Sequence, residues 1–138
     1  IVDKIDTDVD KAFSRVKTTG DVVLKCDIDG GEYKVIDGIL KYSSRIKMLI
    51  FEFHLVDNNE KNFYNSIKKI QKNFDIIHIH GNNHFPKLDS GLPLILEITL
   101  INKKFSPNNQ EYVNNFPITG LDYPNNPFKE DLVFSFGG

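Results

Sequence analysis

Several acids, imidazoles and amides in this chain sit inside or just after apolar runs, where an ionisable group costs free energy unless it has a partner or a task. Asp27 closes the run "VVLKC" and opens "DIDGGE", which adds Asp29, two glycines and Glu32. Period-two alternation puts Glu52 and His54 on one face of "IKMLIFEFHL". The segment "HIHGNNH" sets His78 and His80 on a shared face, followed by Asn82, Asn83 and His84, and Glu97 interrupts "LILEITL". Imidazole titrates near neutrality and suits a general base, and a carboxylate left in an apolar run needs a partner or a ligand to meet it. Asp27 leads this set, because open α/β sheets bind ligands at the carboxyl ends of their strands.

Each group also has a structural explanation. Asp29 and Glu32 fit a D-x-x-E capping box, Asp29 accepting from the amide near Glu32 and Glu32 reaching back to the amide of Asp29. Lys25 and Glu52 fit a buried ion pair between strands, and Glu97 fits a bond to Lys25 or to a backbone donor. His78, deeper in its strand, fits a satisfied core histidine. His54, His78, His80 and His84 suggest a metal-dependent enzyme, yet no third ligand stands at firm spacing, so no metal is assigned. No G-x-S-x-G elbow supports a serine hydrolase.

The elements that must position these groups follow from hydrophobic periodicity. Val9, Ala12, Phe13 and Val16 predict a helix over 7–19, capped by Thr7 or Asp8 and stopped by Gly20. A short β-branched run over 22–27 predicts a strand covered on both faces. Tyr33, Ile36, Ile39 and Leu40 mark a second helix, and 46–55 a second buried strand. "DNNEKNFYNSIKKIQKNF" predicts a helix capped by Asp57 or Asn58, with Phe63, Ile67, Ile70 and Phe74 as its stripe. A third strand ends at Gly81, and a fourth runs from about 94 to 105. Strand–helix alternation predicts an α/β fold with a mostly parallel sheet, and the last strand, reached without a helix, is predicted antiparallel. Parallel neighbours would bring Asp27, His54 and residues 80–83 to one edge.

From 106 onward four of the six prolines and three Asn-Asn pairs rule out long regular structure. Tyr112, Phe116, Leu121, Tyr123, Phe128, Val133 and Phe134 predict an extended arm anchored on the domain, dividing the chain into 1–105 and 106–138. The 138 residues carry a net charge of -2, which gives no basic face for nucleic acid. Cys26 is the single cysteine, so no internal disulfide forms, and its apolar surroundings predict a small buried hydrophobe. No apolar stretch has membrane-span length and no signal-peptide pattern is present, which suggests a cytoplasmic protein. The chain opens at Ile1 without an initiator methionine, so the expectation is that an upstream portion has been removed or left out.

"LKCDIDGGEYKVIDGIL" resembles the "lKiDiEGsEyevL" signature of FkbM-type S-adenosylmethionine-dependent methyltransferases. "LIFEFHLVDNN", "FDIIHIHGNNH", "LPLILEITLINKK" and the ending "FPITGLDYPNNPFKEDLVF" extend that resemblance across 22–134. It implies a Rossmann-like class I methyltransferase sheet and methyl transfer to an oxygen of a small acceptor, such as a sugar, polysaccharide precursor or secondary metabolite. Asp27 would stand where the methionyl end of the cofactor meets the acceptor, with Asp29 beside it. His54 and His80 become the candidate bases. Glu52, Asn82 and Asn83 would orient acceptor hydroxyls, and the aromatics of 116–128 would wall the pocket. The signature's D-x-E-G reads Asp27-Ile28-Asp29-Gly30 here, one methylene shorter. The family's glycine motif and ribose-binding acid have no counterpart, so the resemblance implies a carboxyl-terminal half, its strands numbered four to seven. Most contacts to S-adenosylmethionine would then belong to the missing half. The first strand's free edge and face should be uncovered, or paired with another chain in a homo-oligomer. A non-catalytic binding or assembly module on the same scaffold is the remaining alternative.

Overall fold

The computed structural model describes residues 8–55, 59–108 and 111–136. Among these, α1 (Val9–Ser14), β1 (Val22–Cys26), α2 (Glu32–Lys41), β2 (Ile46–His54), α3 (Glu60–Ile70), β3 (Phe74–Gly81) and β4 (Ile95–Asn102) follow one another. Two short strands, β5 (Asn115–Phe116) and β6 (Phe134–Ser135), pair in the segment after residue 105. The chain is a mixed α/β fold. None of its described helices is long and apolar enough to cross a membrane.

The four-stranded sheet has the order β1-β2-β4-β3. β1 and β2 are parallel, and β4 runs antiparallel to both β2 and β3. Three strands therefore point the same way, but the inserted β4 leaves a single parallel pairing. This corrects the expectation that β2 and β3 are parallel neighbours, and it separates His54 from His80 by one strand. The antiparallel last strand is as expected.

Alternation along β2 and β4 sorts the side chains onto two faces. Leu49, Phe51 and Phe53 stand opposite Leu100, Ile98 and Leu96, and all six are at most 1% exposed. α2 and α3 cover this face: Tyr33 of α2 and Phe63 of α3 both pack on the Phe53 ring, at 5.7 and 5.4 Å. Burying each such Phe or Leu contributes about 1.5–3 kcal/mol. The opposite face carries Glu52 of β2, Glu97 of β4 and His80 of β3 as one transverse row.

Other expectations are adjusted by the packing. α1 is six residues long, with the Asp8 side chain accepting from the Lys11 amide. Thr7, Asp57 and Asn58 lie outside the described residues; Asn59 is the N-cap of α3. Phe74 opens β3 and does not belong to the α3 stripe. β1 is covered on one face only: Val23 is 61% exposed and Lys25 is exposed, while Cys26 is buried. Among the described residues, β1 has no partner on its outer side.

The arm is held by fewer apolar anchors than expected. Phe116 and Phe134 are buried and stacked at 5.2 Å. Tyr112, Leu121, Tyr123, Phe128 and Val133 are exposed, so the arm's aromatics do not wall an enclosed pocket. Ile118, Leu132 and Phe136 are partly buried against the core, and polar groups do the rest of the anchoring.

Candidate functional site

The turn leaving β1 is organised by Glu32, the first residue of α2. Its Oε1 atom accepts from the amides of Ile28 and Gly30, both at 3.1 Å. Asp29 (φ 52°) and Gly30 (φ 94°) take left-handed conformations, which fold residues 28–30 around that oxygen. The expected capping box does not form: Glu32 takes the amides of Ile28 and Gly30 in place of that of Asp29. The N-cap is Gly31 and makes no side-chain bond, while the Asp29 side chain stands exposed.

Glu32 has no exposed surface. It falls on the inward stripe of α2 with Val35, Ile36 and Ile39, spaced at i, i+3, i+4 and i+7. Its Oε1 also lies 3.1 Å from Nδ1 of His54, at the end of the neighbouring strand. The Tyr33 hydroxyl donates to the His54 carbonyl at 2.9 Å, fixing the backbone there. A carboxylate oxygen accepts, so Nδ1 carries the hydrogen of this bond and Nε2 is the ring nitrogen left to face outward.

That Nε2 faces the rim. It lies 3.8 Å from Glu52 Oε1, and donor atoms of Asp27, Glu52 and His54 all lie within 4.8 Å of one another. The parallel pairing of β1 and β2 brings their carboxyl ends, and so Asp27 and His54, side by side. Burial, and then repulsion from Asp27 and Glu97, push the Glu52 carboxyl above its ordinary value, against the pull of His54 and Lys25. Lys25 does not form the anticipated buried pair with Glu52. It reaches Asp27 at 3.4 Å with its side chain 63% exposed, a geometry worth little.

His80 has a different role from the expected base. It is 6% exposed; Nδ1 lies 3.3 Å from Glu97 and Nε2 3.0 Å from Asp131. Hydrogen bonding to Glu97 and Asp131 outweighs desolvation and raises its pKa to about 9, so the ring is a cation at neutral pH and has no lone pair to offer. Its bond in turn lowers the Glu97 carboxyl below the usual range. Glu97 is completed by Asn125, which donates at 2.8 Å, and not by Lys25.

Asn83 is likewise structural. It is 3% exposed; its amide nitrogen reaches the carbonyls of Asn126, Lys129 and Glu130 at 3.0–3.3 Å, and its oxygen accepts from the Asn126 amide at 2.6 Å. It reads the arm's backbone and leaves nothing for an acceptor. Asn82 accepts from the His84 amide, shaping the loop. His78 pairs with Asp122 at 2.7 Å. The "HIHGNNH" segment thus clamps the arm. The arm meets β3 on both faces, since Phe134 also approaches Gly81, where a Cβ would stand 3.0 Å from its ring.

The structure therefore unites Asp27, Glu52 and His54, leaves Asp29 exposed beside them, and moves His80 and Asn83 to the arm interface. A polar cleft of about 440 Å³ between α2 and α3 reaches Gly30 and Tyr33, but the rim residues do not line it. Glu32 is the site residue that sequence reasoning confined to a helix cap. Its signal was present, an acid on the apolar stripe of a helix. Comparisons with protein-family models, curated proteins and solved structures found no match to the chain.

Proposed function

We propose that the chain is the carboxyl-terminal portion of an S-adenosylmethionine-dependent methyltransferase that methylates a hydroxyl oxygen of a small acceptor, such as a sugar or secondary metabolite. One observation carries this reading. An imidazole with its Nε2 turned outward stands with two carboxylates toward the carboxyl ends of adjacent parallel strands. Three further features support it. The last strand is antiparallel, the outer side of β1 has no partner among the described residues, and Glu32 falls on the glutamate two places after the glycine of the signature that the chain resembles.

The residues present suit only part of such a cofactor. Asp27 and Asp29 are exposed at the end of β1, in reach of a ligand there, whereas the adenosyl-binding glycine motif has no counterpart in these 138 residues. When bound, the cofactor supplies an electrophilic methyl group on a sulfonium. The chain's own residues would do the rest. Asp27 and Glu52 orient the acceptor hydroxyl, and His54 Nε2 takes its proton as oxygen gains the methyl carbon. Glu32, behind the ring, stabilises the imidazolium that forms. The free side of β1 is where the remaining sheet, or a second copy, would pair.

Calorimetric titration of S-adenosylmethionine into the full-length protein tests the reading. Binding by the whole protein and little by this portion is the expected pattern. No heat with the whole protein removes the proposal. Given a turnover assay, His54→Gln should lower kcat by about 10²–10⁴ without loss of fold.

A further inference from the structure

We infer that Asp27, Glu52 and His54 form a binding site for a first-row divalent cation such as Mn²⁺ or Zn²⁺. The inference does not rest on the methyltransferase reading; it follows from the geometry of the three side chains and from what stands behind one of them.

Ligand bonds of about 2.1 Å place donor atoms about 3.4 Å apart around a tetrahedral ion. His54 Nε2 and Glu52 Oε1 are already 3.8 Å apart, and the Asp27 carboxylate completes a set within 4.8 Å. Asp27 is exposed, so a small side-chain rotation closes the remaining gap. Lys25, its neighbour at 3.4 Å, is largely in solvent and can swing away.

The independent observation is Glu32. A metal-ligating imidazole characteristically gives its other N–H to a carboxylate, which fixes the tautomer and makes the ligating nitrogen more basic. Here the His54 Nδ1–H meets Glu32 Oε1, so Nε2 is the free nitrogen and faces two carboxylates. Glu32 has no exposed surface, and its Oε2 is buried without a hydrogen-bond partner. Glu32 thus stands buried behind the imidazole as the carboxyl partner that a metal-ligating histidine characteristically has, on the side of the ring away from Glu52 and Asp27.

The ligand chemistry selects the ion. One nitrogen and two carboxylate oxygens suit Mn²⁺, Fe²⁺ or Zn²⁺ better than Ca²⁺, which prefers an all-oxygen shell. Three protein ligands leave positions open for water or a substrate oxygen, the pattern of a reactive centre and not of a structural one. In the loaded state Nε2 is a ligand and no longer a base; an acceptor hydroxyl bound to the ion would ionise more readily on its own.

Titrating Zn²⁺ by calorimetry and Mn²⁺ by loss of its free paramagnetic signal into the full chain tests this. One saturable ion per chain is expected, with affinity falling about tenfold or more in Asp27→Asn, Glu52→Gln and His54→Gln. His84→Gln, outside the cluster, should bind as the parent does. Asp27→Asn changes an exposed side chain and should keep the fold, so it decides the matter even if the inner variants unfold. No saturable uptake by the parent chain overturns the inference, as does uptake that Asp27→Asn leaves unchanged.

Discussion

Nδ1 of His54 and Oε1 of Glu32 lie 3.1 Å apart, joining the end of one strand to the first turn of the helix that precedes it. The same oxygen receives the amides of Ile28 and Gly30. Glu32 therefore closes the turn after β1 and aims the imidazole at the end of β2. Replacing it with alanine removes the acceptor of three part-buried donors, at about 1–3 kcal/mol for each one left unsatisfied. Glu32→Ala should lower unfolding stability by about 3 kcal/mol in urea titrations. Glu32→Gln, which keeps an accepting oxygen, should cost less.

The arm's grip should weaken in alkali. The folded-state pKa of His80, about 9, lies above its ordinary 6.5, so the stability it contributes is full below about pH 6.5 and lost as pH rises toward 9. Glu97 is shifted the other way, so its contribution holds above the ordinary glutamate range and fades as pH falls through it. Denaturation midpoints should decline between pH 6.5 and 9, by up to about 3 kcal/mol in all. His80→Gln should flatten that slope, and an unchanged slope would refute the assignment.

Asn83 holds residues 126–130 of the arm through both ends of its amide. Asn83→Ala should cost about 2 kcal/mol and speed both hydrogen exchange and proteolytic nicking across 122–131, leaving the sheet protected. Asn83→Asp should be worse, because a carboxylate would face three carbonyl oxygens.

Gly81 marks where the loop and the arm close on β3. A Cβ there would stand 2.7 Å from Pro93 Cγ and 3.0 Å from the Phe134 ring. Gly81→Ala should destabilise by about 1–3 kcal/mol through overpacking, read from thermal or urea melts. Phe134→Leu in the same chain should recover part of that loss if the ring is what the methyl strikes.

The elements were legible where apolar residues kept a strict period. α2, α3, β2 and β3 fall within a few residues of their predicted spans, since local sequence alone decides which side of an element is greasy. Strand order was not legible. β4 enters between β2 and β3 and pairs antiparallel with both, and nothing in a strand's alternation names its neighbour. That insertion sent His80 away from His54 and gave it Glu97 beside it.

By itself the sequence determined an α/β domain, the faces of its strands, a polar cluster at the strand ends and a non-regular arm, all consequences of short-range periodicity and turn chemistry. Which polar groups were partners was decided by tertiary structure alone. His78 and Asp122 are 44 residues apart, and His80 and Asp131 are 51 apart. Pairing at that range depends on where the arm lands, and an imidazole's role as base, ligand or clamp depends on which carboxylate reaches it in a dry site.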